Sequence, residues 1–248
     1  IAGGREHELR VDARLQSGAG KAAVKGTVSV DPGAPAATLH ITSDDLQVLD
    51  LPLASVQASS RLDLAVSPGR AVLKGEVTIP RAELKVRQTS SRTERSDDVL
   101  TEEEDAAVRR AFGLESDLWI HLGDAVTLDA MGLTGRLAGQ LHLLEQPRQP
   151  TRASGELRIE KGRYTQWGQD LTLRKSRVVY TGQSITDPGI DARAERVIGE
   201  VTAGLRVTGR LLEPAVRLYS TPAMGDADVL SYLVAGQPLS RASSTAAN

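Results

Sequence analysis

The feature that most constrains the fold is a stretch near the C-terminus in which apolar and polar residues alternate. Its apolar residues are Val201, Ala203, Leu205, Val207 and Leu211, and its polar residues are Thr202, Arg206, Thr208 and Arg210. Successive side chains of a β-strand point to opposite faces, so this period of two places every apolar side chain on one face. A helix would distribute the same residues around its circumference. The sequence therefore predicts a strand over residues 201–211.

Shorter alternating runs fill most of the chain. Before residue 90 they span residues 9–15, 24–30, 39–41, 46–48, 62–66, 71–79 and 84–86. After residue 117 they span residues 118–122, 126–130, 155–160, 171–175, 177–181, 190–194 and 215–219. Turn residues, such as those at 67–69 and 187–189, separate several of these runs. The chain is therefore predicted to be all-β.

A short phrase recurs within these runs: a glycine, followed by two apolar residues that are each preceded by a polar one. It begins at Gly26, Gly75, Gly139 and Gly155. The spacing between copies is irregular, which is not typical of a solenoid repeat. A glycine within a strand indicates a bend, a bulge or the close approach of another backbone. The phrase is compatible with a curved, extended β-surface and equally with frequent hairpins.

Residues 88–116 interrupt the strand pattern. Residues 88–98 are polar and charged without periodicity, which indicates a connecting loop. Thr101 and Glu104 fit a capping box, and apolar residues follow at helical spacing. This pattern predicts a short helix that ends at Gly113.

A second short helix is predicted from Asp226, with Gly236 as its C-terminal stop. The chain then divides into four predicted parts. They are a β-rich repeat region over residues 1–90, a charged linker with a short helix over residues 91–116, a C-terminal domain over residues 117–240 and a disordered tail over residues 241–248. We expect the repeat region to continue the sheet of the C-terminal domain.

The sequence offers little for enzymatic chemistry. None of the histidines, which are His7, His40, His121 and His142, is spaced as a metal-binding pair or lies beside a plausible nucleophile. The acidic residues 102–105 suit the first turn of a helix, whose dipole favours negative charge, better than a metal site. No glycine cluster lies between a strand and a helix, as a phosphate-binding loop requires. We therefore predict no catalytic site, no metal site and no cofactor.

Composition narrows the class of protein further. Lys plus Arg number 30 and Asp plus Glu number 32, a balance that gives no reason to expect nucleic acid as a partner. Cysteine is absent, which excludes disulfides and thiol chemistry. The chain begins at Ile1 without a signal-like segment, and no apolar run approaches the roughly 18 residues of a membrane span. A mature protein and an excised fragment would both have these properties.

An all-β chain of this kind must bury one apolar face per strand. Aromatic residues make up 3% of the chain, so its interior must consist of Leu, Val, Ile and Ala. The sheet can pack on itself as a sandwich, close on itself, or curl into a trough that holds another apolar molecule. The sequence pattern alone favours the sandwich.

Several motifs in the second half of the chain belong to a known family pattern. They are LWIHLGD at 118–124, LDAMGL at 128–133, GELRI at 155–159, GRY at 162–164, YTQWGQDL at 164–171, AGLRVTG at 203–209, STPAM at 220–224 and LSYLVAG at 230–236. In these motifs the chain resembles the C-terminal domain of the TamB family. The resemblance extends over about residues 117–239, whereas residues 1–90 match only in style.

The resemblance implies a fold and a cellular location. TamB and AsmA-like proteins are understood to form an elongated, curved, antiparallel-rich β-sheet, folded into a U-shaped trough (β-taco) with an apolar interior. The resemblance thus changes the expected fold from a sandwich to this trough, with two short helices added. It also implies a periplasmic fragment of a Gram-negative protein, whose membrane contact is made through an inner-membrane anchor upstream of this chain.

The function implied by the family is that of a bridge in the translocation and assembly module, which carries phospholipid along the apolar groove to the outer membrane. An aliphatic interior suits acyl chains, because burying each methylene is worth about 0.8 kcal/mol without directional demands. The residues expected to line the groove are Leu157, Ile159, Leu171, Leu173, Val201, Ala203, Leu205, Val207 and Leu211.

The family also implies a protein partner, a TamA-like outer-membrane protein of the Omp85 type that assists outer-membrane protein assembly and secretion. An exposed edge strand can pair with a partner strand. The expected partner-binding residues are Val216, Leu218, Tyr219, Leu230, Tyr232 and Leu233. The alternative for the C-terminal helix is that it only plugs the end of the β-structure. The alternative for the whole chain is a structural β-scaffold that acts by protein–protein contact alone, as a chaperone for outer-membrane proteins or as a passenger or adhesin domain.

Overall fold

The computed structural model describes residues 8–31, 34–86, 113–166 and 169–238. These residues form twelve strands and one helix. The strands are β1 (Glu8–Ser17), β2 (Gly20–Ser29), β3 (Ala36–Leu51), β4 (Ala54–Ser67), β5 (Arg70–Val86), β6 (Gly113–Ala130), β7 (Leu133–Glu145), β8 (Arg152–Gln166), β9 (Gln169–Ser184), β10 (Gly189–Ile198), β11 (Val201–Arg210) and β12 (Glu213–Thr221), and the helix is α1 (Asp226–Ala235). The predicted connection over 88–98, the helix predicted from Thr101, the acidic residues 102–105 and the tail over 241–248 lie outside the described residues.

All twelve strands belong to one open sheet in which spatial order equals chain order. Each neighbouring pair is antiparallel except β5 and β6, which are parallel. A parallel pair needs a long crossover, and residues 87–112 provide its length. The sandwich of two sheets favoured by the pattern alone is therefore wrong, because each described strand pairs with the one before it in a single continuous sheet. The single antiparallel-rich sheet is consistent with the expected all-β trough.

Several strands are longer than the alternation predicted. Strand β3 joins the runs 39–41 and 46–48, β6 joins 118–122 and 126–130, and β9 joins 171–175 and 177–181. At these joins the pairing register shifts or an irregular residue interrupts it. A bulge changes which face the next residue occupies without ending the strand. A pattern of period two is therefore interrupted where the strand itself continues.

The register places most aliphatic side chains of the twelve strands on one face of the sheet, which we call the apolar face. Leu205 in β11, for example, lies between Ala194 in β10 and Leu218 in β12. At the other end of the sheet Leu9 in β1 lies opposite Val28 in β2. Directly opposite residues of neighbouring strands share a face. The apolar side of each strand therefore continues the apolar side of the strand before it. The opposite face carries most of the charged side chains and we call it the polar face.

A row of pairing irregularities crosses the middle of the sheet, and we call this row the crease. The shifts fall between Ser43 and Leu46 in β3, Gln57 and Ser59 in β4, Ile79 and Arg81 in β5, Leu122 and Thr127 in β6, Thr134 and Arg136 in β7, and Asp191 and Arg193 in β10. Between β8 and β9 the regular pairing is interrupted from Ile159 to Arg163. Each irregularity neighbours the next, and bulges bend the strands that carry them.

The crease is where the sheet buries part of its own apolar face. Ala82 and Val126 pair there, and only 3% and 2% of their surfaces are exposed. By contrast, 58% of Leu9 is exposed on the same face near the edge of the sheet. A flat single-layer sheet would leave both of its faces exposed. The burial at the crease therefore fits a sheet that bends on itself along this row.

The glycines of the recurring phrase lie within strands and not in turns. Gly75, Gly139 and Gly155 have φ of 140°, 129° and 124°. A Cβ atom added at Gly139 would lie 2.1 Å from the carbonyl oxygen of Glu156 on β8. Of the interpretations open from the sequence, this geometry fits the close approach of a neighbouring backbone.

The predicted C-terminal helix is confirmed over Asp226–Ala235. Gly236 ends it with a left-handed φ of 72°, and its N–H donates to the carbonyl oxygen of Tyr232 over 3.2 Å. Glycine suits this position because it has no Cβ to strain. The helix lies against the apolar face of β9 to β12.

Candidate functional site

The predicted groove residues that lie in strands all fall on the apolar face. Leu157 and Ile159 are in β8, Leu171 and Leu173 in β9, and Val201, Ala203, Leu205 and Val207 in β11. The pairs that join them across the sheet include Leu157 with Val178, and Ala194 with both Leu173 and Leu205. Leu211 is different, because β11 ends at Arg210 and Leu211 lies exposed in the turn that follows.

Helix α1 covers the part of this face that lies toward β12. Val229 and Leu233 of the helix form one buried cluster with Leu171, Ala194 and Ala203 of the sheet. None of the surface of Ala203 is exposed, and only 5% of that of Leu233. The partly buried side chains around this cluster are Tyr164, Leu173, Leu205, Leu218, Met224 and Tyr232. Half of the predicted groove residues in strands are thus beneath or beside the helix.

The other predicted groove residues remain outside that cluster. Leu157, Ile159, Val201 and Val207 are half-buried. Leu157 and Ile159 continue the aliphatic face from the helix-covered part into β8. Val201 and Val207 lie in β11 on either side of the covered residues of that strand. Among the described residues, the apolar face therefore has a covered section at β9 to β12 and an uncovered section beyond it.

Arg196 is a charged side chain that joins the helix to the apolar face, and the sequence alone did not identify it. Its guanidinium donates to the carbonyl oxygen of Leu233 over 3.1 Å and to that of Tyr232 over 3.4 Å. It also donates to the side-chain oxygen of Gln169 in β9. The signal was present in the alternation of β10, which continues past the predicted end at Ala194 and gives Arg196 the parity of the apolar face.

The predicted partner-binding residues occupy three different environments. Val216 and Leu230 are exposed, at 59% and 49% of their surfaces. Leu218 and Tyr232 pack against the cluster beneath the helix, and Leu233 is buried within it. Val216 and Leu230 are therefore the most accessible of the predicted partner-binding residues in this arrangement.

Tyr219 lies on the polar face, behind the covered section. Its ring lies over Gly204, where an added Cβ would be 2.4 Å from the ring. Its hydroxyl donates to Glu195 over 3.0 Å. Burial, together with this hydrogen bond, raises the pKa of Tyr219 to about 12.

Ion pairs between neighbouring strands cover much of the polar face. Arg174 in β9 pairs with Glu195 in β10 over 3.0 Å, and Arg70 in β5 pairs with Glu115 in β6 over 2.7 Å. The hydrogen bond from Arg70 holds the pKa of the Glu115 carboxyl below its ordinary value. Exposed pairs of this kind contribute little stability each. They make this face compatible with water along its length.

His121 and His142 lie on the polar face, in register with Gln140 and Trp119. The ring of Trp119 stacks on His142 at 4.5 Å and on His121 at 6.3 Å. His142 is also 2.6 Å from a carboxylate oxygen of Asp117. No group of three or more potential metal ligands occurs among the described residues. Within the described ranges, no helix is long and apolar enough to cross a bilayer.

Comparison with known proteins identifies the family. The family model described as the TamB C-terminal domain matches residues 10–248. Among curated proteins, the translocation and assembly module subunit TamB of Haemophilus influenzae is 32% identical over 211 residues, which cover 77% of this chain. Those residues span 16% of the length of that relative.

The family match begins at residue 10, far upstream of residue 117, where the resemblance in the motifs began. The N-terminal strands that resembled the family only in style are thus part of the same pattern, as their place in the same sheet would suggest. Because the match extends over almost the whole sheet and its helix, the chain belongs to the TamB family, as a C-terminal domain.

Proposed function

We propose that this chain is the C-terminal part of a periplasmic bridge in the translocation and assembly module, and that it carries phospholipid along its apolar face toward the outer membrane. The observation that carries the proposal is the register, which aligns most aliphatic side chains of the twelve strands on one face. Among the described residues, only the section at β9 to β12 is covered by a helix. The name of the curated relative supports the assignment to this module.

Acyl chains fit such a face better than a ligand that needs directional contacts. Each buried methylene contributes about 0.8 kcal/mol wherever it lies on an aliphatic surface. A chain can therefore bind at many positions and move between them. The anchor that would hold the whole protein in the inner membrane belongs, in this proposal, to a part of the protein outside this chain.

The experiment is native mass spectrometry of the chain purified without detergent from a bacterial periplasm. Leu157→Asp places a carboxylate on the uncovered section of the apolar face, and Arg158→Asp places the same group on the polar face one residue later. We expect phospholipid adducts on the original chain and on Arg158→Asp, and their loss on Leu157→Asp. An acyl chain bound over the substituted position 157 would desolvate the new carboxylate without a compensating partner, which costs binding free energy. Loss of the exposed ion pair between Arg158 and Glu156 should change stability little.

Circular dichroism and thermal unfolding of the variants show whether the sheet stays folded. Three proteins that are folded and free of lipid would contradict the lipid proposal. Equal loss of lipid from both variants would show that the bound lipid does not distinguish the two faces.

A second proposed function is contact with a TamA-like outer-membrane partner of the Omp85 type through the free edge of β12. Strand β12 is the last in the sheet and pairs only with β11 among the described strands. The two-residue turn after Arg210 makes Arg210 and Glu213 a hydrogen-bonded pair, so the N–H of Val216 points to the free edge. Such an edge can accept a partner strand.

Val216→Pro tests this contact, because proline removes the outward N–H without removing a hydrogen bond to β11. The matched control is Val216→Ala, which shortens the same exposed side chain and keeps the N–H. We expect Val216→Pro to weaken binding of the purified partner at least about tenfold, and Val216→Ala to bind almost normally. Equal binding by the two variants would exclude pairing through this edge.

A further inference from the structure

Arg196 is out of place on the apolar face. In the described strands it is the only Lys or Arg whose register assigns it to that face, where its neighbours on β10 and β11 are Ala194 and Ala203. Lys161 and Lys175 lie at irregular positions without a paired residue. A cation on an aliphatic surface is costly unless its donors find acceptors. Its acceptors should therefore indicate what this position is for.

The acceptors of Arg196 come from helix α1 and from one glutamine. The helix has no basic residue in its last turn, although its C-terminal carbonyl groups carry partial negative charge. Arg196 of β10 supplies the missing positive charge, because its guanidinium donates to the carbonyl oxygens of Tyr232 and Leu233. The Gly236 backbone passes directly over the guanidinium, because an added Cβ there would lie 3.0 Å from Nη2. The contact therefore fastens the C-terminal end of the helix to the sheet.

The same helix occupies the aliphatic surface that an acyl chain would use. Val229 and Leu233 fill the space above Leu171 and Ala203, with Met224 beside them. These side chains are aliphatic or thioether groups of about the same chemistry as a lipid tail. The helix and an acyl chain would bury the same sheet residues and exclude each other.

We propose that the surface beneath α1 is a terminal phospholipid site, in which Arg196 binds the phosphate of the head group when the helix moves away. The proposal rests on the function proposed above. Displacement of the helix alone would leave the guanidinium of Arg196 without its carbonyl acceptors. The phosphate oxygens replace these acceptors, because arginine donates to phosphate through two parallel N–H groups. The acyl chain replaces the helix side chains on Leu171, Ala203 and Leu205.

The first test measures how often the helix uncovers the sheet. The chain has no cysteine, so one introduced thiol reports on one site. Ser231→Cys is nearly isosteric and introduces what we call the helix thiol, because Ser231 is 9% exposed on the buried side of α1. Ser176→Cys introduces the control, which we call the crease thiol, at a position that is 3% exposed and outside the cluster beneath the helix. The measurement is the rate of maleimide labelling of each thiol.

Substitution of Arg196 tests the fastening without any lipid. Arg196→Gln should accelerate labelling of the helix thiol at least about tenfold and leave labelling of the crease thiol unchanged, because the helix loses the charged contact at its C-terminus. Arg193→Gln is the matched control, since it removes the same charge from the same strand on the polar face. Equal labelling of the helix thiol in both backgrounds would overturn the role of Arg196.

The second test adds lipid to the Ser231→Cys chain. Dioctanoyl-phosphatidylglycerol should accelerate labelling of the helix thiol, whereas dioctanoylglycerol, which has the same tails without phosphate, should do so less. The difference between the two lipids should disappear in the Arg196→Gln background and persist in the Arg193→Gln background. Equal effects of the two lipids on the Ser231→Cys chain without a further substitution would overturn the phosphate site.

Native mass spectra of the same samples separate the two proposals. If lipid adducts form and labelling of the helix thiol does not change, lipid binds elsewhere on the apolar face and the terminal site is wrong. If no adduct forms on any protein, the lipid function fails and the terminal site fails with it. Accelerated labelling in lipid-free Arg196→Gln would then still identify the contact as a fastening of the helix to the sheet.

Discussion

The sheet buries its apolar face in two different ways, at the crease and beneath the helix. At the crease, Ala82 and Val126 are buried apart from the cluster beneath the helix, which fits a sheet that bends on itself there. At the C-terminal section, Ala203 and Leu171 are buried by helix α1, which comes from outside the sheet. The residues are of similar chemistry in the two regions. What differs is whether the cover can be removed without unfolding the strands.

This difference bears on how such a protein can hold an apolar ligand. A crease is part of the hydrogen-bonded ladder, so opening it would break pairs between strands. A helix that is fastened by side-chain packing and by Arg196 can move while the ladder remains intact. The C-terminal section is therefore the better place for binding that must be reversible, and the crease is the better place for a fixed shape.

The strongest test of the comparison removes packing from the helix cover. Leu233→Ala should destabilise the covered section by about 2–5 kcal/mol, because Leu233 is buried between the helix and the sheet. Leu230→Ala on the same helix should change the free energy of unfolding by less than about 0.5 kcal/mol, because Leu230 is exposed. Denaturant unfolding and amide hydrogen exchange of α1 measure the two effects. Similar losses from both substitutions would mean that the helix is not held by the sheet-facing cluster.

The next test concerns the close approach of β7 and β8 at Gly139, beside the crease. Gly139→Ala should cost about 1–3 kcal/mol, because alanine disfavours the φ of 129° and its Cβ would meet the backbone of β8. Gly189→Ala is the control, since Gly189 begins β10 without a positive φ and a Cβ there would make only ordinary contacts at 3.5 Å and beyond. The control should change the free energy of unfolding by less than about 1 kcal/mol. A Gly139→Ala protein as stable as the control would show that the close approach at this glycine is not needed.

The alternation of apolar and polar residues was enough to predict the all-β class and most strands, because one face of each strand is aliphatic. It failed at the bulges. Asp45 and Lys175 adopt positive φ where β3 and β9 shift register, and neither residue type signals that conformation strongly. The pattern therefore divided single long strands into two short ones. The choice between a sandwich and one open sheet was also beyond the pattern, because both have one apolar face per strand.

The candidate site shows the same limit. Parity placed Leu157, Leu171 and Leu205 on one face correctly, since this depends only on neighbours along the strand. Which of them the helix would cover depends on where the chain returns after β12, and no local pattern contains that information. Arg196 was missed for a related reason: a charge on the apolar parity looks like the end of a strand until its partners on the helix are known.

The smallest expected effect concerns Tyr219, which supports the helix-covered section from the polar face and so bears on only one of the two regions compared. Tyr219 packs over Gly204 behind the covered section, and its pKa is raised to about 12 by burial and by the hydrogen bond to Glu195. Because the folded state favours the neutral phenol, this contribution to stability is fully present below the ordinary pKa of about 10 and is lost as the pH rises through about 12.

Tyr219→Phe should therefore lower the free energy of unfolding by about 1 kcal/mol or less at pH 8, and the difference between the two proteins should shrink as the pH rises above about 10. Denaturant unfolding at a series of pH values measures this difference, and comparing the two proteins cancels the titration of the other tyrosines and of the lysines. If the difference stayed constant with pH, the hydroxyl of Tyr219 would contribute only packing. If it shrinks as expected, the covered section is held on its polar face by a contact of its own. Such a contact would help the strands beneath α1 to keep their pairing when the helix moves away, as the proposed terminal site requires.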